Sequence, residues 1–82
     1  MRMALQEIFV NEMGVKPSDF TDDLIYNSIP EWDSQSHLIL ILAVEEKFNI
    51  SLEPEDVVSM TTVRKIVDLL QSKGVAVERH SV

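Results

Sequence analysis

Apolar residues along the chain recur at helical spacing, and no segment alternates clearly enough to compete as a strand. Leu5, Ile8, Phe9 and Met13 predict a helix from about Arg2 to Met13, with Gly14 as its stop signal. Val63, Ile66, Val67 and Leu70 fit the i, i+3, i+4, i+7 template. They predict a helix from about Thr62 to Lys73, with Thr61 as N-cap and Gly74 as stop. Between these lie a helix from about Ser34 to Phe48 and a short helical segment from Pro54 to Met60, where proline suits a first turn. The connection from Val15 to Asp33 contains Pro17 and Pro30, but also Phe20, Leu24, Ile25, Ile29 and Trp32. So many large apolar groups predict a loop packed over the helices rather than a loose linker. The expectation is an all-α fold: a small four-helix bundle of three main helices and one short helix, with a long first loop. Residues 1–74 make the domain, and the aperiodic residues 75–82 a flexible tail.

The helix from Ser34 to Phe48 carries more apolar surface than one stripe needs. At 100° per residue, His37, Leu40, Ile41, Val44 and Phe48 share an arc that is assigned to the core. Leu38, Leu42 and Glu45 fall on the arc of Ser34, with Ile39 and Glu46 further round. An ordinary surface helix has a single apolar stripe. A second one means either a docking surface or burial under the first loop. Full burial is hard to arrange in so small a bundle, so the docking surface is the favoured reading.

Composition narrows the class. An 82-residue chain makes one domain and buries only about 60% of its unfolded surface. Its 45% apolar content still supports one core and argues against disorder. With no cysteine, the fold has neither a disulfide nor a Cys-based zinc site as a staple. Residues 1–14 lack the apolar region of a signal peptide, and no run approaches the roughly 18 apolar residues that span a bilayer. A soluble cytoplasmic protein is expected. The net charge of −7 and the scattered Lys and Arg residues disfavour nucleic-acid binding. Acids concentrate in the middle of the chain: Glu31, Asp33, Glu45, Glu46, Glu53, Glu55 and Asp56 stand against Lys47 alone. That stretch can simply be solvated, or it can dock on basic partner surfaces.

Asp33 is placed to cap the Ser34–Phe48 helix, its carboxylate accepting unpaired N–H groups of the first turn. Ser34 is then the first helical residue, at the positive end of the helix dipole, where an attached phosphate is favoured. An Asp-Ser pair on its own is most simply a cap. The wider pattern is more specific: Trp32-Asp33-Ser34, His37-Leu38, Ala43-Val44-Glu45-Glu46-Lys47-Phe48-Asn49-Ile50, Pro54-Glu55-Asp56 and Met60-Thr61-Thr62-Val63. In this order and spacing it resembles the acyl carrier protein family, from about Asp22 to Leu70. The resemblance implies a four-helix bundle with a long first loop. It implies that a phosphopantetheinyl transferase attaches a 4'-phosphopantetheine arm from coenzyme A to Ser34, with Asp33 part of that site. Acyl groups then ride as thioesters on an imported thiol. A loading ligase or synthase and downstream acyl-transferring enzymes are implied as partners, with Gln35, Leu38, Ile39, Leu42, Glu45, Glu46, Glu55 and Asp56 as the partner-binding face.

The chain departs from the family pattern where Gln35 replaces a usual leucine, Ile39 an acidic or polar residue, and Lys47 a residue that is often acidic. With Trp32 before Asp-Ser, these differences lean toward a dedicated lipid, polyketide or other specialised pathway. An unmodified interaction module of carrier-like fold and a peptidyl or aminoacyl carrier are the alternatives. Other chemistry is thin. His37 and His80 are far apart in sequence, adjacent Glu45 and Glu46 point 100° apart, and Met1, Met3, Met13 and Met60 show no ligand spacing. With only Gly14 and Gly74 there is no glycine-rich phosphate loop. A non-enzymatic monomer that needs no metal is expected.

Overall fold

The computed structural model describes residues 2–75, which form an all-α bundle. Helix α1 (Arg2–Glu7) runs straight into a π-helical turn, Ile8–Glu12. The first helix is therefore not α-helical throughout, as its spacing predicts. In a π turn, residues five apart align, so Ile8 and Met13 both face inward, with Leu5 and Phe9 beside them. Gly14 ends the segment at φ +80°, and the Val15 amide returns to the Phe9 carbonyl at 2.9 Å. A one-turn 3-10 helix, Pro17–Asp19, follows.

Three helices complete the bundle: α2 (Ser34–Phe48), α3 (Pro54–Ser59) and α4 (Val63–Ser72). Helix α2 stops at Asn49, which takes the left-handed conformation at φ 55° that asparagine tolerates better than most residues. Helix α3 opens with Pro54 in its first turn, and Asp56 Oδ2 accepts from the Glu53 amide at 2.9 Å. Helix α4 is capped by Thr62, whose hydroxyl accepts from the Lys65 amide at 3.0 Å. The predicted cap, Thr61, sits one residue too early. Its carbonyl serves the first loop instead, accepting from the Tyr26 amide at 2.8 Å.

The first loop is packed, as its apolar content predicts. Trp32 is fully buried, edge-on to Phe9 with ring centroids 5.0 Å apart, and Phe20 lies 5.1 Å from Phe9. The loop is also stitched to the segment that starts α4. Val63 N donates to the Leu24 carbonyl at 3.1 Å, Arg64 N donates to the Asp22 carbonyl at 3.1 Å, and Ile25 pairs with Thr62 in an isolated antiparallel bridge. This bridge explains one departure from the sequence reading. Neighbouring residues in extended backbone point to opposite sides, so buried Leu24 leaves Ile25 52% exposed. Surface ion pairs from Arg2 to Asp22 and from Arg64 to Asp23 flank the loop.

At the far end, Gly74 takes φ +93° and the Val75 amide returns to the Leu70 carbonyl, bringing Val75 against the core. The remaining residues of the expected tail, 76–82, lie outside the described residues. Among the described residues no helix is long and apolar enough to cross a membrane.

Candidate functional site

The start of α2 follows from its cap. Asp33 is extended (φ −102°, ψ −172°), and its Oδ1 accepts from the Ser36 amide at 2.8 Å. That bond, made to an otherwise orphan N–H of the first turn, holds the Asp33 carboxyl below its ordinary pKa. Ser34 is the next residue, exposed, and its hydroxyl has no hydrogen-bond partner among the described residues. Gln35 beside it is also exposed. Asp33, the neighbour of Ser34 in the chain, is engaged by the Ser36 amide through Oδ1. Positive dipole, open surroundings and an unengaged oxygen together suit a phosphate ester.

His37, one turn below Ser34, fixes the neighbourhood. Its Nδ1 lies 3.0 Å from Trp32 Nε1 and its Nε2 lies 3.2 Å from the Val57 carbonyl oxygen. An indole nitrogen only donates, so Nδ1 is the acceptor and Nε2–H donates to Val57. The ring also stacks on Trp32 (27° between planes) and packs 4.9 Å from Tyr26. His37 thus joins the first loop, the start of α2 and helix α3. It is a strut at the edge of the core, as its position on the helix predicts, and not a base facing Ser34. The five-residue spacing of Trp32 and His37 matches no α-helical period, and only the loop-to-helix corner makes them meet.

The second apolar stripe of α2 faces solvent. Leu38 is 64% and Leu42 66% exposed, whereas Leu40 between them is fully buried. Burial beneath the first loop is thereby excluded. Ile39 is also exposed, and α3 adds Val58 at 76% exposure, which sequence spacing does not single out because α3 is too short to show a period. The His37–Val57 contact places this part of α3 alongside the first turns of α2.

The acids divide into two groups. Glu46 and Glu55 are exposed and have no partner among the described residues. Glu45 and Asp56 are not free rim acids, contrary to the sequence reading. Glu45 Oε2 turns inward and accepts from the Leu52 amide at 2.9 Å, holding the α2–α3 loop. Asp56 caps α3 through the Glu53 amide and pairs at 2.9 Å with Lys73, the residue that ends α4. The Glu53 amide first, then Lys73, keep the Asp56 carboxyl below its ordinary pKa. Both residues stand at helix ends or loop junctions, where unpaired backbone N–H groups draw carboxylates. Among the described residues no group of three His, Cys, Asp or Glu is gathered tightly enough to hold a metal ion.

No protein-family model matches the chain. Among curated proteins it is 31% identical over 78 residues to one named acyl carrier protein, from Bdellovibrio bacteriovorus. The alignment takes in 88% of this chain and 92% of that relative.

Proposed function

The chain belongs to the acyl carrier protein family, and on that premise we propose that Ser34 carries a 4'-phosphopantetheine arm. The carrier role in general comes with the family; the attachment point is inferred from this site. The observation that supports it most is the exposed, unengaged Ser34 hydroxyl directly after a cap that is already satisfied. When bound, the arm supplies the thiol that a cysteine-free chain lacks, and acyl groups travel on it as thioesters. The chain's own residues hold the site open. Asp33 fixes the first turn, His37 ties that turn to Trp32 and α3, and the α2 dipole favours the phosphate.

Around this serine, Leu38 and Leu42 form the apolar centre of a docking face for the transferase and for the enzymes that load and unload the arm. Gln35, Ile39 and Val58 extend the face, and Glu46 and Glu55 form an acidic rim that steers basic partner surfaces. Ile39 and Lys47 make α2 less acidic than the family pattern, and Gln35 stands where that pattern has leucine, which fits a dedicated pathway with its own partners. The protein works as a monomer in the cytoplasm, where coenzyme A donates the arm.

Intact mass after incubation with coenzyme A and a broad-specificity phosphopantetheinyl transferase tests the proposal. The parent gains one phosphopantetheine and Ser34→Ala gains none. Ser28 and Ser36 are the nearby decoys: Ser28 Oγ already donates to the Ile25 carbonyl at 2.6 Å, and Ser36 is half-buried. A Ser34→Ala protein that still gains the mass overturns the assignment. An unmodified parent means an interaction module that keeps the fold without the arm.

A further inference from the structure

We propose that His37 is a proton-operated latch: neutral, it fastens α3 to the corner where the first loop enters α2, and protonated, it lets α3 go. Helix α3 depends on such fastenings, because none of its six residues is buried. Two polar ties hold it to other elements: Asp56 pairs with Lys73, and the Val57 carbonyl accepts from His37 Nε2. The neutral ring is used at both nitrogens. Nδ1 accepts the Trp32 indole N–H at 3.0 Å while Nε2–H donates to Val57 at 3.2 Å. A proton on Nδ1 turns that acceptor into a donor, so two N–H groups face each other across 3.0 Å. Indole has no lone pair to offer, and no flip of the ring helps, since both nitrogens of an imidazolium donate.

Trp32 cannot retreat from the opposed proton. It is fully buried and edge-on to Phe9. Its N–H donates to the Ile29 carbonyl at 3.1 Å, and its carbonyl accepts the Asn27 amide at 2.8 Å. His37 is only half-buried and already reaches solvent, so its ring swings out and the bond to Val57 goes with it. No carboxylate holds the cation in place. The first loop brings Tyr26, whose ring packs 4.9 Å away, and Glu31; Asp33 heads α2, and Glu53, Glu55 and Asp56 come with α3. Asp33 is engaged by the Ser36 amide, and Asp56 by the Glu53 amide and Lys73. None of these groups is bonded to the ring among the described residues. Histidine changes charge between about pH 5 and pH 8. The fold binds the neutral ring, so the latch contributes above that range and is lost as pH falls through it. Release loosens the part of the docking face that α3 carries, Val58 and Glu55. That consequence rests on the docking reading above, and the latch itself does not.

The chain has one tryptophan, so in the full ¹⁵N-labelled protein its indole N–H is a single resonance that reports the latch without any variant. Between pH 7.5 and pH 5.5 that resonance should move upfield as its bond to nitrogen is lost. Over the same range the exchange protection factors of the Val57 and Met60 amides, bonded to Glu53 and Val57 at 3.1 and 3.3 Å, should fall at least fivefold. His37→Gln has no titrating ring, and Trp32→Phe keeps the ring but removes the opposing N–H. Each should change less than twofold in the same protection factors. An indole resonance that stays in place, or unchanged α3 protection in the parent, overturns the proposal. So does an equal fall in Trp32→Phe, because the cost then lies in charging His37 and not in the opposed donors. Lowering pH also shrinks the net charge of −7 and its self-repulsion, which tightens the fold and cannot imitate release. None of these readouts involves an arm on Ser34, so a failure there is read separately.

Discussion

Leu40 and Leu42 are two residues apart on α2 and differ almost completely in exposure, so truncating each to alanine separates fold from docking. Leu40 is fully buried, and Leu40→Ala should cost about 2–5 kcal/mol, the transfer term plus the cavity left behind. Leu42 is 66% exposed, so only a third of its surface leaves water on folding. Full burial of a leucine is worth about 1.5–3 kcal/mol, which limits Leu42→Ala to about 0.5–1 kcal/mol. Alanine's slightly better helix propensity offsets a few tenths of that. Urea unfolding followed by far-UV circular dichroism reads both values as midpoint shifts at constant slope. The rate of Ser34 modification should show the reverse order. Leu42→Ala should slow transfer well beyond its small stability loss, and Leu40→Ala, below its melting point, should load at nearly the parental rate. A loss above about 2 kcal/mol for Leu42→Ala would mean a core position and refute the docking reading. An unchanged loading rate for Leu42→Ala would show that the transferase does not read this face.

The remaining predictions follow from the polar ties. Trp32→Phe leaves His37 Nδ1 without its donor and should cost about 1–3 kcal/mol by urea midpoint, with a cost under about 0.5 kcal/mol showing that the bond is incidental. Glu45→Gln should lower the melting midpoint by weakening the tie to the Leu52 amide, while leaving the salt dependence of partner association unchanged. Glu46→Lys should do the opposite, slowing association at low salt with the loss shrinking as screening rises. Asp33 and Asp56 both have folded pKa values below the ordinary 3.8. Their contribution is therefore complete above about pH 4 and is lost as pH falls through the lowered values. Urea midpoints for the parent should fall between pH 5 and pH 3, and the fall should be shallower in an Asp33→Asn/Asp56→Asn protein.

The bundle was legible because its helices advertise themselves locally. The spacing of Val63, Ile66 and Leu70 and the Asp33 cap depend on residues within a turn or two of one another. The π turn is invisible to spacing because Leu5, Ile8, Phe9 and Met13 satisfy an α pattern and remain buried when Ile8–Glu12 widens. Helical geometry placed Leu38 and Leu42 on Ser34's side, but exposure depends on where the first loop lies, which spacing does not encode. The acids form one set in the sequence, which shows charge and not engagement. Glu45 and Glu46 are neighbours in the chain, yet one holds the Leu52 amide and the other faces solvent. Trp32 and His37 each stand out in the sequence, but their bond exists only once the loop turns into α2.

The stitching of residues 22–26 to residues 61–64 has a consequence for how the protein folds. Helices form from near neighbours and are fast, but this pairing brings together stretches separated by all of α2 and α3. Its closure entropy is lost before Leu24, Trp32 and Val63 can share a core, so topology rather than helix formation sets the folding time. The Tyr26 and Val63 amides, each bonded across that closure at 2.8 and 3.1 Å, should exchange with solvent only when the whole domain unfolds. The longest irregular segment of the molecule is on these terms the one that makes its folding cooperative.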